Sequence, residues 1–121
     1  MHYASKAYAK TARETAAPRE LEASLLLKAA AKLQAVYDDW REKPHGLTDA
    51  ITYNRKLWTV FVDAVTRDDN KLPLPVRQNI ANLGMFVIGE TFSLMTRPRP
   101  DHLASLIKIN RSVAAGLRDK V

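Results

Sequence analysis

The 121 residues carry 19 Lys and Arg against 13 Asp and Glu, a formal net charge of +6, with 46% hydrophobic residues and no cysteine. This is a globular composition at the length of one domain, 1–121, and it excludes disulfides, thiolate metal centres and a cysteine nucleophile. The start, Met1-His2-Tyr3-Ala4-Ser5-Lys6, has no apolar signal core, so a cytoplasmic protein is expected.

The elements follow in chain order. Tyr3, Ala4, Ala7, Tyr8, Thr11 and Ala12 recur at helical spacing, which predicts a short helix over 2–14. A helix that short is marginal alone, so segment 1–16 is expected to be loosely docked. Pro18 reads as a first-turn proline opening a second helix over 18–41, with the stripe Leu25, Leu26, Ala29, Leu33, Val36 and Trp40. Lys43-Pro44-His45-Gly46 is a loop. Thr48 is the expected N-cap of a third helix over 48–67, whose inner face carries Ala50, Tyr53, Asn54, Leu57, Phe61, Ala64 and Val65, widened by Trp58 and Val60. Leu72-Pro73-Leu74-Pro75 opens a fourth helix over 73–96, and Arg97-Pro98-Arg99-Pro100 ends it. Asp101 caps a fifth over 101–118, with the stripe Leu103, Leu106, Ile107, Asn110, Val113, Ala114 and Leu117. Gly116 inside that pattern suggests close helix approach or a fraying end.

The fourth helix is apolar nearly all the way round. Ile80, Leu83, Val87 and Leu94 fall on one side, and Met85, Ile88, Phe92 and Met95 on another. Such a helix is expected to be buried on several sides, so the reading is all-α, a compact bundle of about five helices around this central one. The run is too short to span a bilayer, which takes about 20 apolar residues, and Asn82 and Glu90 interrupt it. The pair Gly84 and Gly89 within it reads as a packing feature.

No constellation of reactive groups appears, so no enzyme, cofactor or metal site is expected. His2, His45 and His102 are far apart, and none has a metal-ligand spacing. His45 and His102 read as exposed loop histidines. Asp38-Asp39 and Asp68-Asp69 are adjacent acids, and neighbours on a helix do not face each other. Asn54 and Asn110 both lie on apolar stripes. An unpartnered buried amide costs about 1–3 kcal/mol, so these two are expected to find partners, in each other, in Arg77 or in backbone carbonyls, as a structural polar core. Trp58 with Tyr53, and Tyr3 with Tyr8, are aromatic pairs that fit either core or a protein-binding surface. The bases are scattered, and Arg55-Lys56 is the one adjacent pair, so a generally basic surface is favoured over a nucleic-acid stripe.

The elements Arg19-Glu20-Leu21-Glu22-Ala23, Tyr53-Asn54-Arg55-Lys56-Leu57-Trp58-Thr59, Leu72-Pro73 with Arg77 and Asn79-Ile80-Ala81, Leu106-Ile107-Lys108-Ile109-Asn110-Arg111 and Ala114-Ala115-Gly116-Leu117-Arg118 together resemble the FlaF family, flagellar biosynthesis regulators of alphaproteobacteria. The resemblance covers essentially the whole chain in order. It implies a cytoplasmic, non-enzymatic helper that promotes flagellin synthesis and filament assembly. It implies as partners flagellin, in a chaperone-like role, and FlbT, a regulator that restrains flagellin translation. The family supplies no catalytic or metal residues. Tyr3, Tyr8, Tyr53, Asn54, Leu57, Trp58, Phe61 and Arg77 are the candidate partner-binding residues, and a groove lined by Leu57, Trp58 and Phe61 beneath helix 3–14 is the expected seat of an amphipathic helix. Direct binding to flagellin messenger RNA is the competing reading, motivated by the net charge.

Overall fold

The computed structural model describes residues 2–41 and 45–119, with side chains for residues 18–41 and 45–119. Four helices follow one another: α1 (His2–Asp38), α2 (Leu47–Val65), α3 (Leu74–Thr96) and α4 (Pro100–Asp119). No strand occurs among the described residues. The all-α class holds, and the count is four rather than five.

The first two expected helices are one. Pro18 lies inside α1, where it withholds a donor from the carbonyl four residues earlier. An interior proline costs about 3 kcal/mol. The alanine-rich sequence on both sides (Ala16, Ala17, Ala23) favours the helix enough to carry it through. The expected loose docking of segment 1–16 concerns side chains outside the described residues. α1 stops at Asp38 rather than at Arg41, with Trp40 N–H turned back to the Tyr37 carbonyl at 3.2 Å.

The start of α2 also differs from expectation. Thr48 is not its cap. Gly46 precedes Leu47 at φ 76°, and no side chain caps the helix. That left-handed turn is where glycine is at no disadvantage and an L side chain costs about 1–2 kcal/mol. Pro73 stands just before α3, with a second proline, Pro75, inside its first turn, where the missing N–H costs nothing. Pro100 begins α4, and Asp101 lies in its first turn rather than capping it, still favourable to the helix dipole.

The helices run up, down, up, down. α1 packs on α4 and α2, and α3 packs on α2 and α4. Among the described residues α1 and α3 do not approach each other. Leu26 and Leu33 of α1, Trp58 of α2, Val87 and Leu94 of α3, and Leu103 and Leu106 of α4 meet in the interior with no exposed surface. A bidentate ion pair from Arg118 to Glu20, at 2.8–3.1 Å, ties the end of α4 to α1.

α3 is therefore not central. Its neighbours cover only the side formed by Ile80, Gly84, Val87, Thr91 and Leu94. Gly84 explains how closely that side sits. A methyl group there would overlap Cγ2 of Val62 and lie 3.7 Å from the Trp58 ring, so α3 rests with its backbone against α2. Gly116 has no such role. α4 continues through it to Asp119, and a Cβ there meets nothing.

Candidate partner-binding surface

The site begins with what the interior takes away from it. Trp58 donates from Nε1 to Oδ1 of Asn110 at 2.9 Å. Asn110 donates from Nδ2 to Oδ1 of Asn54 at 2.7 Å and to the Leu26 carbonyl at 3.3 Å. All three side chains have no exposed surface. The network joins α1, α2 and α4, and it leaves one orphan, Nδ2 of Asn54. The two asparagines sit on the inner faces of their helices because Ala50-Asn54-Leu57-Phe61 and Leu106-Asn110-Val113 each follow the apolar period.

Trp58 is thus a core residue and presents nothing to a partner. Phe61 stands edge-on to it, ring centroids 6.0 Å apart at 90°, and is buried too. Leu57 is partly buried against the same core. The groove expected beneath helix 3–14 is filled by the bundle itself, since two of its three walls face inward. Tyr53 is half-buried, with the ammonium groups of Lys28 and Lys32 at 5.9 and 5.0 Å from its ring centroid. Arg77 donates to the carbonyls of Val65 at 2.8 Å and Arg67 at 2.7 Å. It closes the C-terminal end of α2, where carbonyls lack helical partners. Asn70 does the same for the Ala64 carbonyl at 3.1 Å. Tyr3 and Tyr8 lie outside the described side chains. The six candidates with described side chains do not converge on one surface.

His102 departs from its expected place. It lies within α4, three-quarters buried, with Nδ1 2.8 Å from Oε2 of Glu90. The tight turn Arg97-Pro98-Arg99 folds α4 back onto α3 and brings together two residues twelve apart. That turn was legible; the pairing across it was not, because neither residue signals its face strongly. His45 is exposed, as are Asp68 and Asp69. Among the described residues no three His, Cys, Asp or Glu could hold a metal ion. Among the described residues no helix is long and apolar enough to cross a membrane. Burial raises the carboxyl of Glu22 above its ordinary range, with Arg19 partly offsetting the effect.

What remains is a surface that the sequence pattern displays and the expected architecture hid. Met85 is 71% exposed, Phe92 66%, Met95 65% and Leu74 60%, with Ile88 exposed among them. These are the residues of the second apolar side of α3. Scattered exposed apolar residues are ordinary, but a contiguous row of them marks an interaction surface. On the opposite flank of α3, Leu72, Val76, Ile80, Leu83, Val113 and Leu117 line an apolar groove of about 350 Å³ between α3 and α4, with Phe86 exposed on the same flank. α3 therefore presents apolar surface on both sides of its packed face. The chemistry on offer is desolvation of large flexible side chains by another apolar surface.

Compared with known proteins, the chain matches the family model described as flagellar protein FlaF over residues 4–117. No curated protein and no solved structure matches it.

Proposed function

Because the chain belongs to the FlaF family of flagellar proteins, we propose that it promotes flagellin synthesis and filament assembly in the cytoplasm by binding a protein partner, with no catalytic step of its own. Flagellin, held in a chaperone-like complex, and the translational regulator FlbT are the partners this reading names. The observation that carries it is the exposed row Met85, Ile88, Phe92 and Met95 on α3. Methionine and phenylalanine in such a row adapt to a partner surface and supply most of its desolvation. The net charge of +6 speeds encounter with an acidic partner.

The same charge favours a second reading, binding to the flagellin leader RNA. Among the described residues, Lys28 and Lys32 gather at Tyr53 as a basic-aromatic cluster. The two readings separate on salt. The test is titration of the purified protein against flagellin, FlbT and the leader RNA at two salt concentrations, beside the variant Met85→Ser/Phe92→Ser. Tight binding to flagellin or FlbT that resists salt and is lost in the variant supports the first reading. Binding to RNA alone, falling steeply with salt and unchanged in the variant, replaces it with the second.

A further inference from the structure

The exposed side of α3 has a finer period than a surface helix requires. Leu74, Ala81, Ile88 and Met95 recur every seven residues, and Met85 and Phe92 do so between them. From Ala81 to Met95 the steps alternate four, three, four, three. This is the seam of a coiled coil, narrower than the apolar stripe by which a helix docks on a core. The buried apolar residues of α3 are a different set, Ile80, Val87 and Leu94; Ala81 of the seam packs against the core, while Leu74, Met85, Ile88, Phe92 and Met95 stand exposed.

The solvent-side neighbours of the seam are Asn82, Gly89 and Thr96, all small or uncharged and all exposed. Gly89 is the telling one. A Cβ there meets nothing within 4 Å, and its backbone lies outside the left-handed region. Among the described residues nothing needs glycine at this position, and glycine is a poor helix former. It leaves a notch in which a second backbone approaches closely.

Among the described residues two free cations stand beside the C-terminal half of the seam. Arg55 lies two turns before Val62, on the stripe of α2 that packs against Gly84 of α3, and Arg97 lies at the end of α3. Both are exposed, and neither has an ion pair among the described residues. The neighbouring carboxylates are engaged: Asp63 by Arg67, Glu90 by His102, Asp101 by Arg99. The five exposed seam side chains offer on the order of 600 Å² of apolar area. Matched by an equal area on one helix, this reaches the lower bound of a standard interface, about 1,200 Å² in total. A second copy of this chain fits less well, since each carries +6.

We propose that the α3 seam seats one α-helix of a partner protein, which carries apolar side chains at heptad spacing, acidic residues on its flanks reaching Arg55 and Arg97, and a backbone that crosses α3 at Gly89. The inference rests on the protein-binding reading and adds the chemistry of the segment recognised.

The test uses the full chain and synthetic helical peptides about three heptads long, identical in their leucine seam and flanked by Glu, Gln or Lys. The Glu-flanked peptide is expected to bind about tenfold tighter than the Lys-flanked one, and Arg55→Glu/Arg97→Glu to abolish that preference. Gly89→Leu puts a side chain into the notch, starting from a Cβ that meets nothing within 4 Å among the described residues. It is expected to weaken binding about tenfold while helicity and Tm hold. Equal affinity for all three peptides, or unchanged binding by Gly89→Leu, overturns the proposal. So does sedimentation showing a dimer of this chain that Gly89→Leu disperses. Flagellin and FlbT are titrated in parallel. Binding of either that ignores Gly89→Leu sinks the seam and spares the protein-binding reading; peptide binding with neither protein bound does the reverse.

Discussion

Asn110 of α4 reaches Asn54 of α2 with a 2.7 Å hydrogen bond in a region without water-exposed surface, and the Trp58 indole closes the same Asn110 from its other end. The consequence is register. An apolar residue at either asparagine slides along its neighbours at little cost, whereas this chain of donors and acceptors is satisfied at one relative position of α2 and α4. Trp58→Phe keeps most of the ring and removes the donor. It is expected to destabilise the fold by about 1–3 kcal/mol, the cost of an unpaired buried acceptor plus a small void. Asn110→Leu orphans two more groups and is expected to cost more. Urea unfolding followed by circular dichroism measures both, and a Trp58→Phe midpoint equal to that of the wild type would show the network to be idle.

The two glycines of α3 make opposite predictions from one substitution. Gly84→Ala puts a methyl group into Cγ2 of Val62 and is expected to cost about 1–3 kcal/mol, as overpacking does. Gly89→Ala meets nothing and is expected to stabilise by up to about 1 kcal/mol through helix propensity. Thermal melts of the pair settle it; like-signed shifts would contradict the placement of α3 on α2.

Arg77 holds two carbonyls at the end of α2 from the first turns of α3. Arg77→Ala frees both and is expected to cost about 1–2 kcal/mol. Arg77→Lys is expected to recover only part of this, because an ammonium lacks the planar fork that reaches both. Hydrogen exchange localises the effect, with faster exchange expected at the α2–α3 junction and little change in α4.

Glu22 supplies the pH dependence. Its carboxyl is raised above 4.5 by burial, the larger cause, with Arg19 acting the other way. A raised acid pKa means that the folded chain holds the proton more tightly than the unfolded one. Stability from this group is therefore fully present below the unfolded value and falls as pH rises through the folded one. Glu22→Gln is expected to raise Tm at pH 7, and the difference should shrink as pH falls toward about 4.5 and be gone below it. A gain that persists unchanged at pH 4 would assign the effect to packing instead of charge.

The helical periods, the proline and glycine stops and the two inward asparagines could all be read from the chain, because each is a local property: a repeat of 3.6 residues, a missing N–H, an amide on an apolar face. The Asn54–Asn110 partnership was one of several options until α2 and α4 were set side by side. Pro18 marks the limit of local reading from the other direction, since a residue that usually opens a helix lies inside one here. The larger divergence concerns α3. Its sequence states that Met85, Ile88, Phe92 and Met95 form an apolar side, and a residue's own period cannot say whether another helix covers that side. Tertiary structure decides this by where α1 goes. α1 pairs with α4 and α2 and leaves α3 with two neighbours, so half of an apolar helix faces outward. Arg77 and His102 were decided in the same way, because a guanidinium on a helix end or an imidazole on a carboxylate is a relation between elements. Hydrophobic burial depends on area and not on direction, so composition and period determine that a face is sticky, and only the packing of the other helices determines whether the chain or a partner covers it.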